Sequence, residues 1–413
     1  MASVFLHHVV DDLTVGKPEL VEFLETEAIE SAIRAIGDCT ECGIPVWKSR
    51  NEKSVVESAE VRQQRFVGII NSLDIVAFLA TEECLENRKK AMKTPVSEVV
   101  VPNNLLLKEV DPGTRLIDAL EMMKQGVRHL LVPKSIVWKG VSKRFSVLYN
   151  GKWLKNLESS TGTNGTTNSI RPTSSSSMSV CEKKFCCLSR EDVIRFIIGC
   201  LGALAPLPLS SILSLGAVNP NYKYIEASTP AIKATQKLPP DYSAVAVVES
   251  TSKGHCKIIG EISASKLRKC DHIAAAWALG NLSAGQFVMG VCDESDDITP
   301  TSLPDFSINS IVNEDGCDVG GLRPRKFCSR SIGFTSNSTS PTIGRSICTG
   351  NAPLTCKVTC SLAAVMAHIL SRRATHVWVT DSESEDILVG VVSYTDILVA
   401  VIKHPSTIAC VNN

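Results

Sequence analysis

The 413-residue chain is 44% hydrophobic, 5% aromatic and 21% charged, with 43 Lys+Arg matched by 43 Asp+Glu. This length exceeds what one core fills and implies two or three domains. The zero formal charge argues against a chain built mainly to hold nucleic acid, which needs a basic excess on some face.

In chain order, Met1–Asp12 has no basic n-region, so no secretory signal is expected. The 16 cysteines then read as reduced intracellular thiols, and the cytoplasm or the nucleus as the compartment. The first predicted helix, Thr26–Ile36, places Ile29, Ile33 and Ile36 on one face and leads to a strand at Gly43–Trp47. A second strand, Phe66–Asn71, runs into an apolar helix beginning near Asp74. The same order returns as helix Asp111–Met123, strand Val127–Val132, strand Phe185–Ser189 and a helix near Asp192. The apolar run Phe196–Ala205 ends at Pro206, well short of the roughly twenty residues a membrane helix needs, so no membrane partner is expected. A third round has a helix from Ser228, strands at Ser243–Val248 and Ile258–Ser263, and Lys266 where an acid stood before. The fourth has Thr359–Met366, Thr375–Val379, Ile387–Ser393 and a helix from Asp396 to Ile402. Thr26, Asp111, Ser228 and Thr359 are the predicted N-caps of the leading helices.

Each round is thus helix–strand–strand–helix, a small α/β sandwich that needs a partner to cover its second face. The fourth positions of the strand-to-helix units, 74, 192, 266 and 396, are 118, 74 and 130 residues apart. Removing two polar stretches, 133–185 and 293–350, leaves 65, 74 and 72, a nearly uniform period. The expected domains are 14–82, 96–202 (with the insert 133–185), 209–282 and 349–405, with an acidic, Ser-rich loop at 293–348. The first insert carries nine Lys/Arg against two acids and a predicted Asn150-Gly151 hairpin; residues 293–318 carry eight acids and no Lys/Arg. Both read as solvated loops or as docking segments, with Ser174–Ser177 open to phosphorylation.

A strand with Gly, two apolar residues, Ser/Thr/Asn, then an acid three positions on resembles the CBS (cystathionine-β-synthase-type) domain. The stretches are Gly390-Val-Val-Ser393-Tyr-Thr-Asp396 and Gly68-Ile-Ile-Asn71-Ser-Leu-Asp74. Such repeats associate in pairs called Bateman modules; four of them resemble the γ regulatory subunit of AMP-activated and SNF1-type kinases and, more closely, plant CBS-domain proteins. The implied pairs are Asp74 with Asp192 and Lys266 with Asp396. The resemblance implies a non-catalytic regulator that senses AMP, ADP or ATP, requires no cofactor and acts on kinase catalytic or scaffold subunits. Its alternative is an interaction scaffold whose clefts hold no ligand.

The chemistry of the motif fits a nucleotide. A hydroxyl where a strand meets a helix N-terminus faces phosphate along the helix dipole, and an acid one turn later accepts ribose hydroxyls. Ser-x-x-Asp is also a capping box, and any single instance is that by default; recurrence after a strand at a uniform period points beyond it. Ser393, Thr395 and Asp396 keep both roles. Ser189 and Asp192 do too, with Cys186 where glycine is expected. Asp74 keeps the ribose role beside Asn71, whereas Lys266 replaces the acid after Ser263. By the same resemblance, phosphate-facing bases at the start of the central strand are Arg128 and His129, and His376 after Thr375; Glu41-Cys-Gly43 and Asp241-Tyr-Ser243 supply none. No phosphate-binding Gly-rich loop with Lys-Ser/Thr, no His-Glu-x-x-His and no Gly-x-Ser-x-Gly occurs. The lone Cys39-Thr-Glu-Cys42 lacks the second ligand pair of a zinc site. Neither an enzyme nor a metal protein is expected.

Overall fold

The computed structural model describes residues 4–39, 43–50, 57–134, 148–149, 152–153, 184–239, 241–251, 254–290, 352–381 and 386–403. The second polar stretch, with its acids, and Ser159–Val180, with Ser174–Ser177, lie outside these residues, as does Cys42. The predicted hairpin is present as strands Leu148–Tyr149 and Lys152–Trp153, paired antiparallel.

Four three-stranded sheets of one design organise the chain. Each has a short strand parallel to a central strand, which is antiparallel to a third. The sets are Phe23–Leu24, Gly43–Trp47 and Phe66–Asn71; Leu107–Glu109, His129–Pro133 and Phe185–Ser189; Tyr224–Glu226, Ala244–Ser250 and Cys256–Ser263; and Thr355–Lys357, His376–Thr380 and Leu388–Ser393. Val, Ile and Leu fill the central strands, as burial on both faces requires. The leading short strands went unread in the sequence because two or three residues carry no period.

Those short strands displace the predicted N-caps. After each one, an N–H closes a tight turn onto the carbonyl three residues back: Glu27 to Leu24, Thr114 to Asp111, Thr229 to Glu226 and Cys360 to Lys357. The leading helices therefore start later, at Ile29–Asp38, Leu116–Lys124 and Leu362–Arg372, with Ala28, Arg115 and Ser361 at N-cap; the third is a 3-10 run, Ala231–Lys237. Thr26, Asp111, Ser228 and Thr359 belong to the turns. Each helix start is also tied to another segment by an isolated bridge: Ala28 to Pro95, Arg115 to Val9, Pro230 to Ser283 and Ser361 to Ser211.

The repeats associate in two ways. Sheet faces meet between the first and second repeats, where Trp47 and Phe66 pack with Leu107, Leu131 and Phe185. Between the third and fourth, Tyr242, Ala246 and Ile258 pack with Trp378 and Val391. Helices make the larger cores. Ile29, Ile75 and Leu79 of the first repeat join Ile262, Leu267 and Leu279 of the third. Leu116, Leu120 and Ile197 of the second join Leu362, Met366 and Ile397 of the fourth. Every repeat thus touches one neighbour through its sheet and another through its helices, which buries both sides of each sandwich. Residues at or next to the starts of the central strands, Gly43, His129, Ser243 and Thr375, line one common cavity.

Candidate functional site

The antiparallel register brings each strand-to-helix junction opposite a strand start. Gly43 pairs with Asn71, His129 with Ser189, Ala244 with Ser263, and His376 with Ser393. Asn71, Ser189 and Ser263 are N-caps whose side chains accept N–H groups of the following helix. The acids three residues on close capping boxes. Asp74 Oδ2 accepts the Asn71 N–H at 3.0 Å, and Asp192 Oδ2 that of Ser189 at 2.8 Å. Asp396 Oδ2 accepts both the Ser393 N–H, at 2.8 Å, and its hydroxyl, at 2.7 Å. Among the described residues, the Oδ1 atoms of Asp74 and Asp396 accept no hydrogen bond. Burial pushes the Asp74 carboxyl up to about 6, against the pull of the Asn71 N–H and Arg128. Burial and the nearby Asp241 also raise that of Asp396.

Where the four repeats meet, a cavity of about 90 Å³ is lined by Asn71, Arg128, His129, Ser189, Asp241 and Thr375, among others. Asn71, Arg128, His129 and Ser189 are thereby gathered in one place, while Asp74, Asp192, Ser393, Thr395, Asp396 and His376 are not among the residues that line it. Burial and the like charge of Arg190 pull Arg128 down from the ordinary arginine value, and Asp241 and Asp74 oppose this.

Three side chains that sequence reasoning did not assign to the site shape it. Lys17, from the N-terminal segment, ion-pairs with Asp192 and donates to the Cys187 carbonyl at 2.7 Å. Asp241 ion-pairs with the buried Arg190 and accepts the Thr395 hydroxyl at 2.6 Å. Glu261 is buried between the third and fourth repeats. It accepts from Trp378 Nε1, from Ser263 Oγ at 3.1 Å and faces His376 Nε2 at 3.2 Å, with Lys266 at 3.9 Å. Burial alone would raise the Glu261 carboxyl; His376, Lys266 and the Trp378 N–H overcome this and bring it to about 2. His376 also stacks on Tyr242, centroids 5.1 Å apart. Two signals were available: an acid inside the apolar run Ile258–Ser263, and an acid where the third repeat lacked a base. Lys17 carries no local signal.

No group of three His, Cys, Asp or Glu among the described residues is placed to hold a metal ion. Cys186 and Cys356 are buried, and burial raises both thiols. No helix among the described residues is long and apolar enough to cross a membrane.

Residues 346–403 match the CBS domain family model. Along nearly its whole length the chain is similar to the CBS domain-containing protein CBSX6 of Arabidopsis thaliana, with 65% identity over 98% of this chain and 96% of that one. It belongs to the CBS-domain family. Another Arabidopsis thaliana relative, the SNF1-related protein kinase regulatory subunit gamma-like PV42b, is 24% identical over 95% of this chain and 94% of its own. The crystal structure of protein MJ1225 from Methanocaldococcus jannaschii aligns over 95% of this chain and 99% of that one. The identity is 12% and the TM-score 0.49. The four sheets repeat one design, and the chain is a CBS-domain protein of plant type.

Proposed function

We propose that this CBS-domain protein is a non-catalytic sensor of adenosine nucleotides that reports ligand occupancy to a protein partner, an SNF1-type kinase assembly, in the cytoplasm or nucleus. The observation that carries this reading is the pair Asp74 and Asp396. Each spends one carboxylate oxygen on its own helix start and keeps the other available to accept a ribose hydroxyl. Asn71, Arg128, His129 and Ser189 at the neighbouring cavity supply phosphate-facing donors. Ser393, Thr395 and His376 extend that set in the fourth repeat, and Ser189 with Asp192 repeats it in the second. The similarity to a protein named as a γ-like kinase regulatory subunit, covering 95% of this chain, supports the choice of partner.

Titration calorimetry with AMP, ADP, ATP and adenosine tests the ligand. Binding to the full-length chain is expected, with loss in the Asp74→Ala, Asp396→Ala double variant. Silence from all four at millimolar concentration refutes the reading. For the partner, the check is co-purification with kinase catalytic and scaffold subunits.

A second reading, a scaffold with ligand-free clefts, draws on different observations. Lys17 already neutralises Asp192, and a cavity of about 90 Å³ falls below the roughly 300 Å³ at which small-molecule pockets begin. Kinase-subunit binding that is indifferent to every nucleotide would favour it.

A further inference from the structure

The donors expected to meet phosphate in the fourth repeat all point at a carboxylate of the protein itself. Asp241 lies in the bend ahead of the third repeat's central strand, on the cavity wall. Its Oδ1 receives the Arg190 guanidinium and the Thr395 hydroxyl at 2.6 Å, whereas the Ser393 hydroxyl donates to Asp396 at 2.7 Å. Thr395 sits in the first turn of the ten-residue helix Tyr394–Lys403, whose N-terminal dipole favours an anion there. Arg190 cannot turn away easily. Its Nε donates to the Val127 carbonyl at 3.1 Å and its NH2 to the Met123 carbonyl at 2.9 Å, and only 7% of its side chain is exposed. A guanidinium locked from behind, the Thr395 hydroxyl and a helix N-terminus form the donor set of a phosphate monoester site. Asp241 fills it with an anion tethered to a third repeat.

We infer that Asp241 is a built-in anion standing in the phosphate position of the central cavity, so that a phosphorylated ligand enters only by displacing it. The inference rests on the nucleotide reading for the identity of that ligand. The displacement is geometrically open, because a quarter of the Asp241 side chain (26%) faces solvent whereas Arg190 does not. Outward rotation of Asp241 hands Arg190 and Thr395 to the incoming phosphate and enlarges a cavity that is too small for a nucleoside as it stands. It also breaks a contact linking the second, third and fourth repeats. Ligand entry is thereby coupled to how the two modules hold each other, with Asp241 setting the threshold and discriminating against phosphate charge.

The test compares full-length wild type with Asp241→Asn by titration calorimetry, using AMP, adenosine and inorganic diphosphate as probes. AMP and diphosphate are expected to bind the variant about tenfold or more tightly than wild type, since one repelling charge is gone. Adenosine, lacking phosphate, is expected to bind both alike. Should the variant fail to melt cooperatively, Asp241→Ser, which keeps a hydroxyl beside Thr395, takes its place. In wild type, carbodiimide labelling of Asp241, read by mass spectrometry, should rise when AMP or diphosphate is bound. Equal AMP affinity in wild type and folded variant overturns the inference and leaves the nucleotide reading standing. Tighter diphosphate binding by the variant, with no adenosine compound bound by either protein, does the reverse. No gain for either phosphate probe, or labelling that falls on binding, also overturns it.

Discussion

Asp74 and Glu261 are buried carboxylates whose surroundings push them in opposite directions. Asp74 titrates near 6 in the folded chain against an ordinary 3.8, because burial outweighs its N–H and Arg128 partners. Its neutral form is favoured on folding, so the stability it contributes is complete below pH 3.8 and is lost as pH rises through 6. The cost at neutral pH is on the order of 2–3 kcal/mol. Asp74→Asn keeps an oxygen for the capping box and removes that cost. The variant should melt higher than wild type at pH 7.5, with the gain vanishing near pH 4; a gain independent of pH would contradict the assignment. Glu261, ordinarily at 4.5 and here near 2, contributes stability that is complete above pH 4.5 and lost as pH falls towards 2. Glu261→Gln removes that carboxylate and its contribution, and should cost about 3 kcal/mol at pH 7. Denaturant titrations across pH 2–7 should show the acid limb of the stability curve flattened. Neither environment was legible in the sequence, since both depend on partners from other repeats: Arg128 lies 54 positions from Asp74, and His376 lies 115 from Glu261. The Ser/Asn-x-x-Asp pattern was legible because a capping box is closed within four residues.

At the scale of elements, the glycine of the strand motif has a steric cause. A Cβ on Gly68 would lie 2.6 Å from the Val101 carbonyl oxygen, and one on Gly390 would lie 3.0 Å from that of Asn219 and 2.5 Å from Val218. Inter-repeat linkers cross the outer strand there, as the Asn103 N–H to Val67 bond and the two-way Asn219–Val391 bonds record. The pairing slips one residue near Gly68, Gly260 and Gly390, as strand glycines often mark. In the second repeat, where Cys186 replaces glycine, the register runs unbroken. Gly390→Ala should therefore cost about 1–3 kcal/mol through a forced backbone shift. Gly37→Ala, with nothing within 4 Å of its Cβ, should be neutral or raise stability by up to about 1 kcal/mol. Thermal melts of the two variants check the contrast, and similar values would refute the crossing argument. The paired strands and their glycines could be read because alternation and spacing are local. The short leading strands could not, since each exists only by pairing with a central-strand residue 22 or 23 positions later.

For the whole molecule, the division of cores decides which part folds alone. The sheet-to-sheet clusters within each half are small: Trp47, Phe66, Leu107, Leu131 and Phe185 in the first, eight buried residues in the second. The two large cores each draw helices from both halves, Ile75 against Leu279 in one and Ile197 against Ile397 in the other. A fragment ending at Pro206 would leave the flanks of both cores in water, including Ile29, Ile75, Leu120 and Ile194, each buried in the intact chain. Burial of one such side chain contributes about 1.5–3 kcal/mol, and a domain's net stability is only about 5–15 kcal/mol. Losing a whole flank should therefore unfold or aggregate the fragment. Residues 1–206 and 207–413 expressed separately should lack a cooperative melt and bind a hydrophobic dye. Expressed together they should co-elute as one species of the intact mass with the near-UV circular dichroism of the full chain. A monomeric, cooperatively melting fragment 1–206 would mean that the first module is self-sufficient. The helix-mediated cores would then be an interface between two finished domains, and displacement of Asp241 could open that interface without straining either module.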